Sequence, residues 1–578
     1  MMRAAMAHDW SLRAVITGAL IGAVLSLCNV YTGLKIGWSS NMSITGSLIA
    51  FAIWQIGFLQ RSPKGPFTIL ETNLSQAACS AAAAVSSAGL VAGIPALTMI
   101  TGFTLPWPSL AAWVFSVCAV GIVVAVPIRR QMIENDPLPF PMGIAAAEML
   151  KQMYARGTEA MARVRAMAIA AVLSGALKPL EHFKILPSLP LPGAIAGYSL
   201  KNLTFALDPS LLLVAAGGLM GTKAAASLGA GALLAYGVVS PVLLSSGIVA
   251  PGPPDRAWFK ELVAWLLWPG VTCMVVGSLT SFAMSWRSIG QAFRGLGGGD
   301  DPNGEDVPAS WFKVAFVAVL VLSVTLQITL FSIPIWAAVA GVMLSFALGI
   351  VAGRVQGETG VTPVGAMGKV TQLMVGAGVP GDVAANLMCA TVTGGAASQC
   401  ADLMSDFKTG KILGSTPRSQ WISQGVGALA GSMVGSAIYL VLIPDPAKQL
   451  LTPEWAAPAV ATWKAVAEVF KVGVSALPPR VPPAIAIGAV VGMVLAVTAA
   501  KAPERIRKYT PSASALGLGF IIPANQALSM VLGAILAILV ARGFKTWHDR
   551  LWMVVCGGAV AGESLVGVAL SVREVLAG

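Results

Sequence analysis

Residues 12–31 read LRAVITGALIGAVLSLCNVY, an apolar stretch that carries Arg13 as its single charge. A run of about twenty apolar residues spans the hydrocarbon core of a bilayer as an α-helix. Apolar runs of similar length follow along the whole chain, as far as residues 551–572. They leave room for about fourteen to sixteen membrane helices and little strand. The sequence therefore predicts an all-α polytopic membrane protein.

The composition agrees with a membrane protein. Of the 578 residues, 56% are hydrophobic and 11% are charged, whereas a soluble protein carries about 25% charged residues. This shortage of polar residues excludes a soluble enzyme and a disordered chain. The net charge of +12 does not indicate a nucleic-acid partner, because the basic residues lie in short connections that flank the membrane.

The basic residues also predict an orientation. Arg13 lies at the start of the first apolar run, Arg61 and Lys64 follow the second, and Arg129 and Arg130 follow the fourth. The connections between these positions carry little charge. Because positive charge gathers on the cytoplasmic side, we expect a multi-pass protein of the plasma (inner) membrane with a cytoplasmic N-terminus.

The sequence gives no sign of a cofactor. The seven cysteines form no CxxC pair and mostly lie in apolar runs, where cysteine packs as a small apolar residue. The three histidines lie away from the centres of these runs, and there is no Walker motif. We therefore expect no resident metal, no cofactor and no ATP-driven step.

A polar linker divides the chain near residue 300. Residues 295–308 read GLGGGDDPNGEDVP, which is typical of a flexible connector. Pro209-Ser210 recurs as Pro511-Ser512, and further small residues match at the same offset of 302. We therefore predict two related transmembrane halves, 1–294 and 309–578, joined by a cytoplasmic linker at 295–308. In many transporters the substrate site lies between such repeats.

Polar residues interrupt the end of the first apolar run. Residues 29–38 read NVYTGLKIGW, in which Asn29, Tyr31 and Lys35 stand beside two glycines. One interpretation is a loop that places Lys35 at the headgroups. The other is a helix break whose free backbone groups and Lys35 face an anionic substrate group. On the second interpretation, the three residues are candidate substrate ligands.

A second polar segment precedes a helix of small residues. Residues 68–80 read TILETNLSQAACS and include Glu71, Asn73 and Gln76. Glu71 taken alone is explained as the cap of a helix start, where the dipole favours a carboxylate. The three residues together are costly beside a bilayer, which favours a cavity lining.

The second half has a comparable break. Residues 357–372 read GETGVTPVGAMGKVTQ and include Glu358, Thr362 and Gln372. An unwound segment of this kind is tolerated where it is buried in protein or lines water. These residues are therefore candidates for the substrate site or its gate, and an ordinary surface loop is the alternative.

Acidic and amide side chains follow in residues 386–418. Asn386 and Gln399 lie deep in an apolar stretch, and Gln399, Asp402 and Asp406 share one helical face. A capped helix end explains Asp406, which would then form salt bridges with the lysines that follow. Asn386 and Gln399 are better candidates for a polar cavity, and Asp402 is a candidate proton carrier.

Glu563 lies well inside the last apolar run, in the sequence AGESLVG. An ionised carboxylate in that environment is expensive and should be paired or protonated. We therefore consider Glu563 a candidate for substrate binding or proton coupling. The alternative is a structural pair that holds helices together.

Taken together, these segments resemble the oligopeptide transporter (OPT) family, including its yellow-stripe-like metal-chelate branch. The resemblance runs through most of the chain, and it rests on the order and spread of short motifs. These are NVYTGLKIGW at 29–38, TILETNLSQ at 68–76, PIRR at 127–130, LPFP at 138–141, GETGVTP at 357–363, QCADLMSDFKTG at 399–410, GLGFIIP at 517–523 and GES at 562–564.

The resemblance implies about sixteen transmembrane helices in two related eight-helix halves, with broken or re-entrant helices at the centre. It also implies a symporter that takes up small peptides or peptide-like metal-chelate complexes with protons. The chain looks like the compact prokaryotic type, and it lacks the longer NPG and KIPPR motifs of the peptide branch. The sequence does not decide between a peptide and a metal-chelate complex as the substrate.

These observations lead to a hypothesis of alternating access around a central polar cavity. The ligand's carboxylate would meet Lys35, and its amine would meet Glu71, Glu358 or Glu563. The same carboxylates, or Asp402, would take a proton when the ligand is absent. The buried amides named above would supply neutral hydrogen bonds that tolerate varied side chains.

Two other function classes stay open at this point. One is a membrane-embedded enzyme that acts on a lipid-linked substrate, with acids and bases from residues 402–418. The other is a passive channel. The resemblance and the spread of polar breaks over both halves favour a transporter, whose partners would be its substrate, protons and the lipid bilayer. Assembly as a homodimer is also left open.

Overall fold

The computed structural model describes residues 10–37, 39, 41–56, 65–135, 137–155, 157–284, 306–360, 362, 364–473, 477 and 480–577. Five positions or ranges used in the sequence argument lie outside these described residues: Trp38, Arg61, Lys64, 295–305 and Pro363. The other named candidates all lie within the described part of the chain.

Helices dominate the first part of the chain, up to residue 284. They are α1 Leu12–Ile36, α2 Ser43–Trp54, α3 Ile69–Ala83, α4 Gly93–Thr101, α5 Trp107–Arg130, α6 Pro141–Ala155, α7 Gly157–His182, α8 Leu211–Met220, α9 Thr222–Ala232, α10 Ser240–Ser245 and α11 Phe259–Met284. A 3-10 turn, Ala84–Ala88, follows α3, and π-helical turns follow α5 at Gln131–Asn135 and α9 at Leu233–Val239.

The second part of the chain is also helical. Its helices are α12 Ala309–Phe331, α13 Ile335–Thr359, α14 Val364–Gly378, α15 Val383–Leu413, α16 Pro417–Leu442, α17 Pro446–Gln449, α18 Pro458–Val472, α19 Val481–Lys501, α20 Glu504–Tyr509, α21 Ala513–Leu518, α22 Ala524–Gly543 and α23 Lys545–Ala577. The strands of the described residues are two-residue pairs. Leu189–Pro190 (β1) pairs antiparallel with Ala206–Leu207 (β4), and Ala194–Ile195 (β2) with Tyr198–Ser199 (β3).

Among the described residues, twelve helical stretches are long and apolar enough to cross a membrane. The predicted class, an all-α polytopic membrane protein, is therefore confirmed. The predicted number of about sixteen spans stays a prediction. The twelve stretches are α1, α3 with α4, α5, α7, α9 with α10, α11, α12, α13, α16, α19, α22 and α23.

Helix α3 lies at the centre of the bundle, packed between α1 and α16. Its small residues allow this arrangement, because glycines of both neighbours approach its backbone closely. A Cβ atom on Gly18 of α1 would overlap the carbonyl oxygen of Ser75, and one on Gly427 of α16 would overlap that of Ala78. In a bilayer, close packing of this kind is a main source of helix association.

Helix α2 begins inside the bundle. Asn41, just before α2, donates to Asp402 of α15 at 3.3 Å. The eleven residues of α15 beyond Asp402 extend for about 16 Å. Helix α1 ends at Gly37, which adopts a left-handed conformation with φ of 73°.

Two helix pairs from the two parts of the chain contact each other reciprocally. A Cβ atom on Gly217 of α8 would overlap the backbone of Met530, while one on Gly519 would contact the backbone of Leu228. The offset of 302 relates Gly217 to Gly519 and also Leu228 to Met530. A local two-fold axis that relates the two helix pairs would produce such reciprocal contacts. The division at 295–308 into two related halves stays a prediction.

Candidate functional site

Five polar residues, of which only Glu181 is partly exposed, form a cluster called here the Lys35 cluster: Lys35, Lys178, Glu181, Ser210 and Glu563. The ammonium of Lys35 lies 3.9 Å from Glu181 and 3.9 Å from Glu563, and Lys178 lies 3.0 Å from Glu181. Lys35 is 5% exposed and Glu563 is 1% exposed. The structure therefore places Lys35 against two acids inside the protein.

Glu563 of α23 also binds the start of helix α8. The hydroxyl of Ser210 donates to its Oε1 at 2.7 Å, and the backbone N–H of Leu212 donates to its Oε2 at 2.8 Å. A helix N-terminus carries partial positive charge and unpaired N–H groups, which favour a carboxylate. Glu563 thus binds the start of α8 through hydrogen bonds and also lies near the ammonium of Lys35.

Two aromatic residues separate the Lys35 cluster from a large cavity. The Tyr31 ring lies 5.8 Å from Lys35 Nζ and meets the Trp455 ring edge-on at 5.2 Å. Trp455 lines a cavity of about 600 Å³. The other lining residues are Val441, Leu442, Lys448, Gln449, Thr452, Pro453, Glu454, Ser571, Glu574 and Val575.

The rim of this cavity is charged. Glu574 lies 3.0 Å from His182, which directly follows the Glu181 of the cluster. Lys448 lies 2.9 Å from Asp445, and its hydrogen bond holds the pKa of that exposed carboxyl below its usual value. Charges of both signs thus surround the cavity that Trp455 lines. A volume of this size is typical of pockets for small ligands.

A second polar group joins α3, α15 and α16 and is called here the Asp406 network: Asn73, Gln76, Asp406, Gln420 and Gln424. Gln424 donates to Asp406 Oδ2 at 2.7 Å, and Gln76 donates to Oδ1 at 3.3 Å. Gln420 donates to the Asp406 carbonyl at 2.8 Å and to Asn73 Oδ1 at 2.9 Å. All five residues are buried.

The salt bridges expected between Asp406 and the following lysines are wrong. Lys408 donates to the carbonyl oxygen of Leu138 at 2.8 Å, and Lys411 donates to that of Ile133 at 2.8 Å. Both lysines turn toward the end of α5 because free carbonyl groups are available there. Asp406 faces the opposite way, into the amides.

A third polar group lies on α14 and α15. Gln372 donates to Asn386 Oδ1 at 3.0 Å, and Asn386 donates back to the Gln372 carbonyl at 2.7 Å. Lys369, one turn before Gln372, is buried with its ammonium 4.7 Å from the Trp463 ring. The two predicted amides are therefore brought together, apart from the Lys35 cluster.

Two predicted carboxylates face arginines. Glu71 pairs with Arg13 at 2.6 Å and accepts from the Thr68 backbone at 3.0 Å, so it forms the capping box of α3. Glu358 pairs with Arg354 at 2.9 Å. The capping interpretation of Glu71 thus accounts for its contacts.

The other predicted residues make separate contacts. Asn29 donates to the Ala83 carbonyl at 2.9 Å, and Gln399 donates to that of Ala81 at 3.2 Å. Thr362 donates to Gln356 at 2.6 Å. Asn29 and Gln399 therefore hold the end of α3 from two sides.

Sequence reasoning did not identify Lys178, Glu181, Gln420 and Gln424. Lys178 and Glu181 end an apolar run at a spacing of three residues, and Gln420 and Gln424 open one at a spacing of four. Such spacings place side chains on one helical face. That signal could have marked both pairs, although it does not give their partners.

Within the described residues, no group of three or more His, Cys, Asp or Glu side chains could hold a metal ion. The seven cysteines are all free and buried.

The chain matches the family model described as "OPT oligopeptide transporter protein" over residues 9–573. It is 24% identical to the Saccharomyces cerevisiae protein named "Putative oligopeptide transporter YGL114W", over 94% of this chain and 91% of the relative. It is 23% identical to the "Probable metal-nicotianamine transporter YSL9" of Oryza sativa subsp. japonica, over 96% and 88%. It is 22% identical to the metal-nicotianamine transporter YSL3 of Arabidopsis thaliana, over 96% and 89%.

Proposed function

Since the chain belongs to the OPT oligopeptide transporter family, and is thus a member of a transporter family and not an enzyme, we propose that it is a proton-coupled symporter. In this proposal it takes up small peptides or peptide-like metal-chelate complexes by alternating access. The observation that carries the proposal is the Lys35 cluster beside a cavity of about 600 Å³.

The Lys35 cluster suits a ligand that has both a carboxylate and an amine. Lys35 and Lys178 offer ammonium groups, and Glu181 and Glu563 offer carboxylates within the same few ångströms. A zwitterionic ligand could replace the internal ion pairs one for one, so that no buried charge is left without a partner. This exchange favours peptide-like molecules over apolar ones.

The aromatic pair of Tyr31 and Trp455 is the proposed gate between the cavity and the cluster. The ligand would enter at the charged rim and pass once these rings separate. The reciprocal contacts around Gly217 and Gly519 support two repeats that move against each other. The halves 1–294 and 309–578 are the units of this proposed motion.

Carboxylates carry the coupling protons in this proposal. Glu563 and Asp402 are the preferred candidates, because Glu71 and Glu358 are each paired with an arginine. Glu563 would take a proton when the ligand's amine leaves it. The metal-chelate alternative is favoured only if the chelator supplies all metal ligands, as the described residues offer no metal group of their own.

Placement in the plasma membrane with a cytoplasmic N-terminus belongs to the same proposal. Arg13, Lys408, Lys411 and Arg418 support it, because they lie at helix ends that share one face. A homodimeric assembly stays a prediction.

The test is substrate-induced current in proteoliposomes under an inward proton gradient. The probes are mixed tri- to pentapeptides and ferric nicotianamine, each applied separately. A current for one class, abolished when the gradient is removed, is the expected result. Flux that follows only the substrate gradient would indicate a passive channel, and silence from every probe would contradict the proposal.

A further inference from the structure

Asp406 and Asp402 are two acidic residues one helical turn apart on α15. Asp406 is 2% exposed, and its carboxylate contacts the amides of Gln76 and Gln424. Asp402 contacts Asn41. Within the described chain, neither acid lies at ion-pair distance from a Lys, Arg or His side chain. The Asp406 carboxylate is thus surrounded by neutral groups.

An ionised Asp406 would be expensive in this position. Amide donors stabilise a carboxylate, but they do not cancel its charge, and an unpaired buried charge is unfavourable in a membrane protein. A cation that binds at Asp406 would remove this cost. The contacts of the site therefore point to a small cationic ligand that the protein itself does not supply.

A small cavity adjoins the carboxyl group. Its volume is about 10 Å³, which is room for about one water molecule. The lining residues are Asn41, Ser43, Ile44, Gln76, Met142, Gly143, Ala146, Ser405, Asp406 and Thr409. A hard metal cation needs about six oxygen ligands, whereas amide N–H groups already occupy both carboxylate oxygens. A proton delivered by water fits this space better.

The site also has an acceptor for that proton. Among the described residues, the Oε1 atoms of Gln424 and Gln420 have no hydrogen-bond partner, although both side chains are fully buried. If the Gln424 amide turns by half a rotation, Oε1 takes the position of Nε2, 2.7 Å from Asp406 Oδ2. A protonated Asp406 could then donate to Gln424, so the same contact serves both charge states.

We propose that Asp406 is a proton-binding site of the transport cycle, with Gln424 as the residue that positions the proton. A hydronium ion transfers one proton to Oδ2 and leaves water in the cavity; release is the reverse step. Other titratable groups that face this carboxyl from the described helices are Asp402 on its own helix and Cys79 on α3. Helices α16, α6 and α2 face it with amide, hydroxyl or apolar groups.

The role in the cycle depends on the proposed function, but proton binding can be measured without any substrate. The experiment is infrared difference spectroscopy of the purified full-length protein during pH changes in potassium buffer. Wild type should show the carbonyl stretch of a protonated carboxyl that disappears at alkaline pH. Asp406→Asn should lose this signal, and Glu148→Gln, a change at an exposed carboxylate, should keep it. An unchanged signal in Asp406→Asn would overturn the proposal.

A second variant covers the case in which Asp406→Asn does not fold. Gln424→Leu should keep the signal but move it to higher frequency, because the protonated carboxyl loses its acceptor. A signal of unchanged frequency would contradict the role of Gln424. Replacement of potassium by sodium should change nothing, and a sodium-dependent loss of the signal would overturn the assignment to a proton.

Transport adds a separate readout. In proteoliposomes, Asp406→Asn should still exchange a transported probe across the membrane but should not accumulate it under a proton gradient. Accumulation at the wild-type level would refute a role in coupling. If no probe is transported by wild type, the proposed function fails while the infrared result still stands.

Discussion

The ammonium of Lys35 is held between two acids, each at 3.9 Å. Since Lys35 and Glu563 are buried, their pairing matters more to stability than the pairing of surface ions, whose contribution is at most about 1 kcal/mol. Removing one member of a buried pair leaves the other uncompensated. Single and double substitutions in the cluster can therefore separate the contribution of ion pairing to stability from the proposed role in ligand binding.

Lys35→Met should abolish uptake and lower the free energy of unfolding by about 3 to 5 kcal/mol. The double variant Lys35→Met/Glu563→Gln should recover much of that stability without recovering uptake, because it removes both the ammonium and one of the acids. Thermal unfolding in detergent and probe uptake measure the two effects. The exposed pair Lys151 and Glu148, at 3.3 Å, is the matched control. Equal effects from Lys151→Met would contradict the prediction.

Glu563→Gln should make the half-saturating substrate concentration independent of external pH. The reason is that a glutamine cannot exchange a proton for the ligand's amine. Its one amide oxygen can still accept from the backbone N–H of Leu212, and its NH2 group can donate to the Ser210 hydroxyl. Initial uptake rates across a pH series provide the measurement. Glu148→Gln should retain the wild-type profile, and unchanged pH dependence in Glu563→Gln would refute proton exchange at this residue.

At the scale of elements, α3 is held by backbone contact on two sides. Glycines of α1 and α16 lie against its carbonyl groups, and its alanine-rich sequence leaves no side chains in the way. Polar groups at the start of α3 bind Arg13 and Asp406, while its end binds Asn29 and Gln399. Helix α3 thus links several polar groups of the bundle.

Gly427→Ala should destabilise the protein by about 1 to 3 kcal/mol, because the added methyl group overlaps the Ala78 backbone and forces α16 away from α3. Gly425 is on the same helix, and a Cβ atom there would meet nothing within 4 Å. Gly425→Ala should therefore be neutral, or stabilising by up to about 1 kcal/mol through helix propensity. Midpoints of thermal unfolding compare the two variants, and equal losses would contradict the packing argument.

At the scale of the whole molecule, contacts of Tyr31 and Trp455 connect the cavity with the Lys35 cluster. These contacts place the two rings between the cavity and the cluster. Alternating access requires such a barrier to open on one side at a time. In the proposed mechanism these two rings therefore have to separate, which can be tested.

Cross-linking Tyr31→Cys to Trp455→Cys with a short bifunctional maleimide should block substrate-induced current. Reaction at the introduced pair should dominate, because the reagent reaches position 455 through the cavity and the cavity lining includes none of the seven native cysteines. Current before and after linking is compared in the same proteoliposomes, and each single-cysteine variant is treated as a control. Full current after complete linking would show that the rings do not need to separate.

Prediction from sequence succeeded where the signal is local and failed where it depends on distant partners. The polar start of α3 was visible as an interrupted apolar run. The loop or helix break predicted within residues 29–38 is wrong up to Ile36, because α1 continues as an unbroken helix through Asn29, Tyr31 and Lys35. The partners of Asp406 were not visible, because the lysines next to it in sequence turn away while Gln76 and Gln424 come from other helices. Helices that are apolar on all sides also give no periodicity that would show which faces meet.

The sequence by itself determined the membrane class, the helical content, the family and a set of polar candidates, because apolar runs and short motifs are local properties of the chain. Only the tertiary structure decided which partner each of those candidates has. It gave arginine partners to Glu71 and Glu358, a lysine to Glu563 and only amides to Asp406. Charges buried in a bundle take the partners that packing brings near, and packing joins residues that lie hundreds of positions apart.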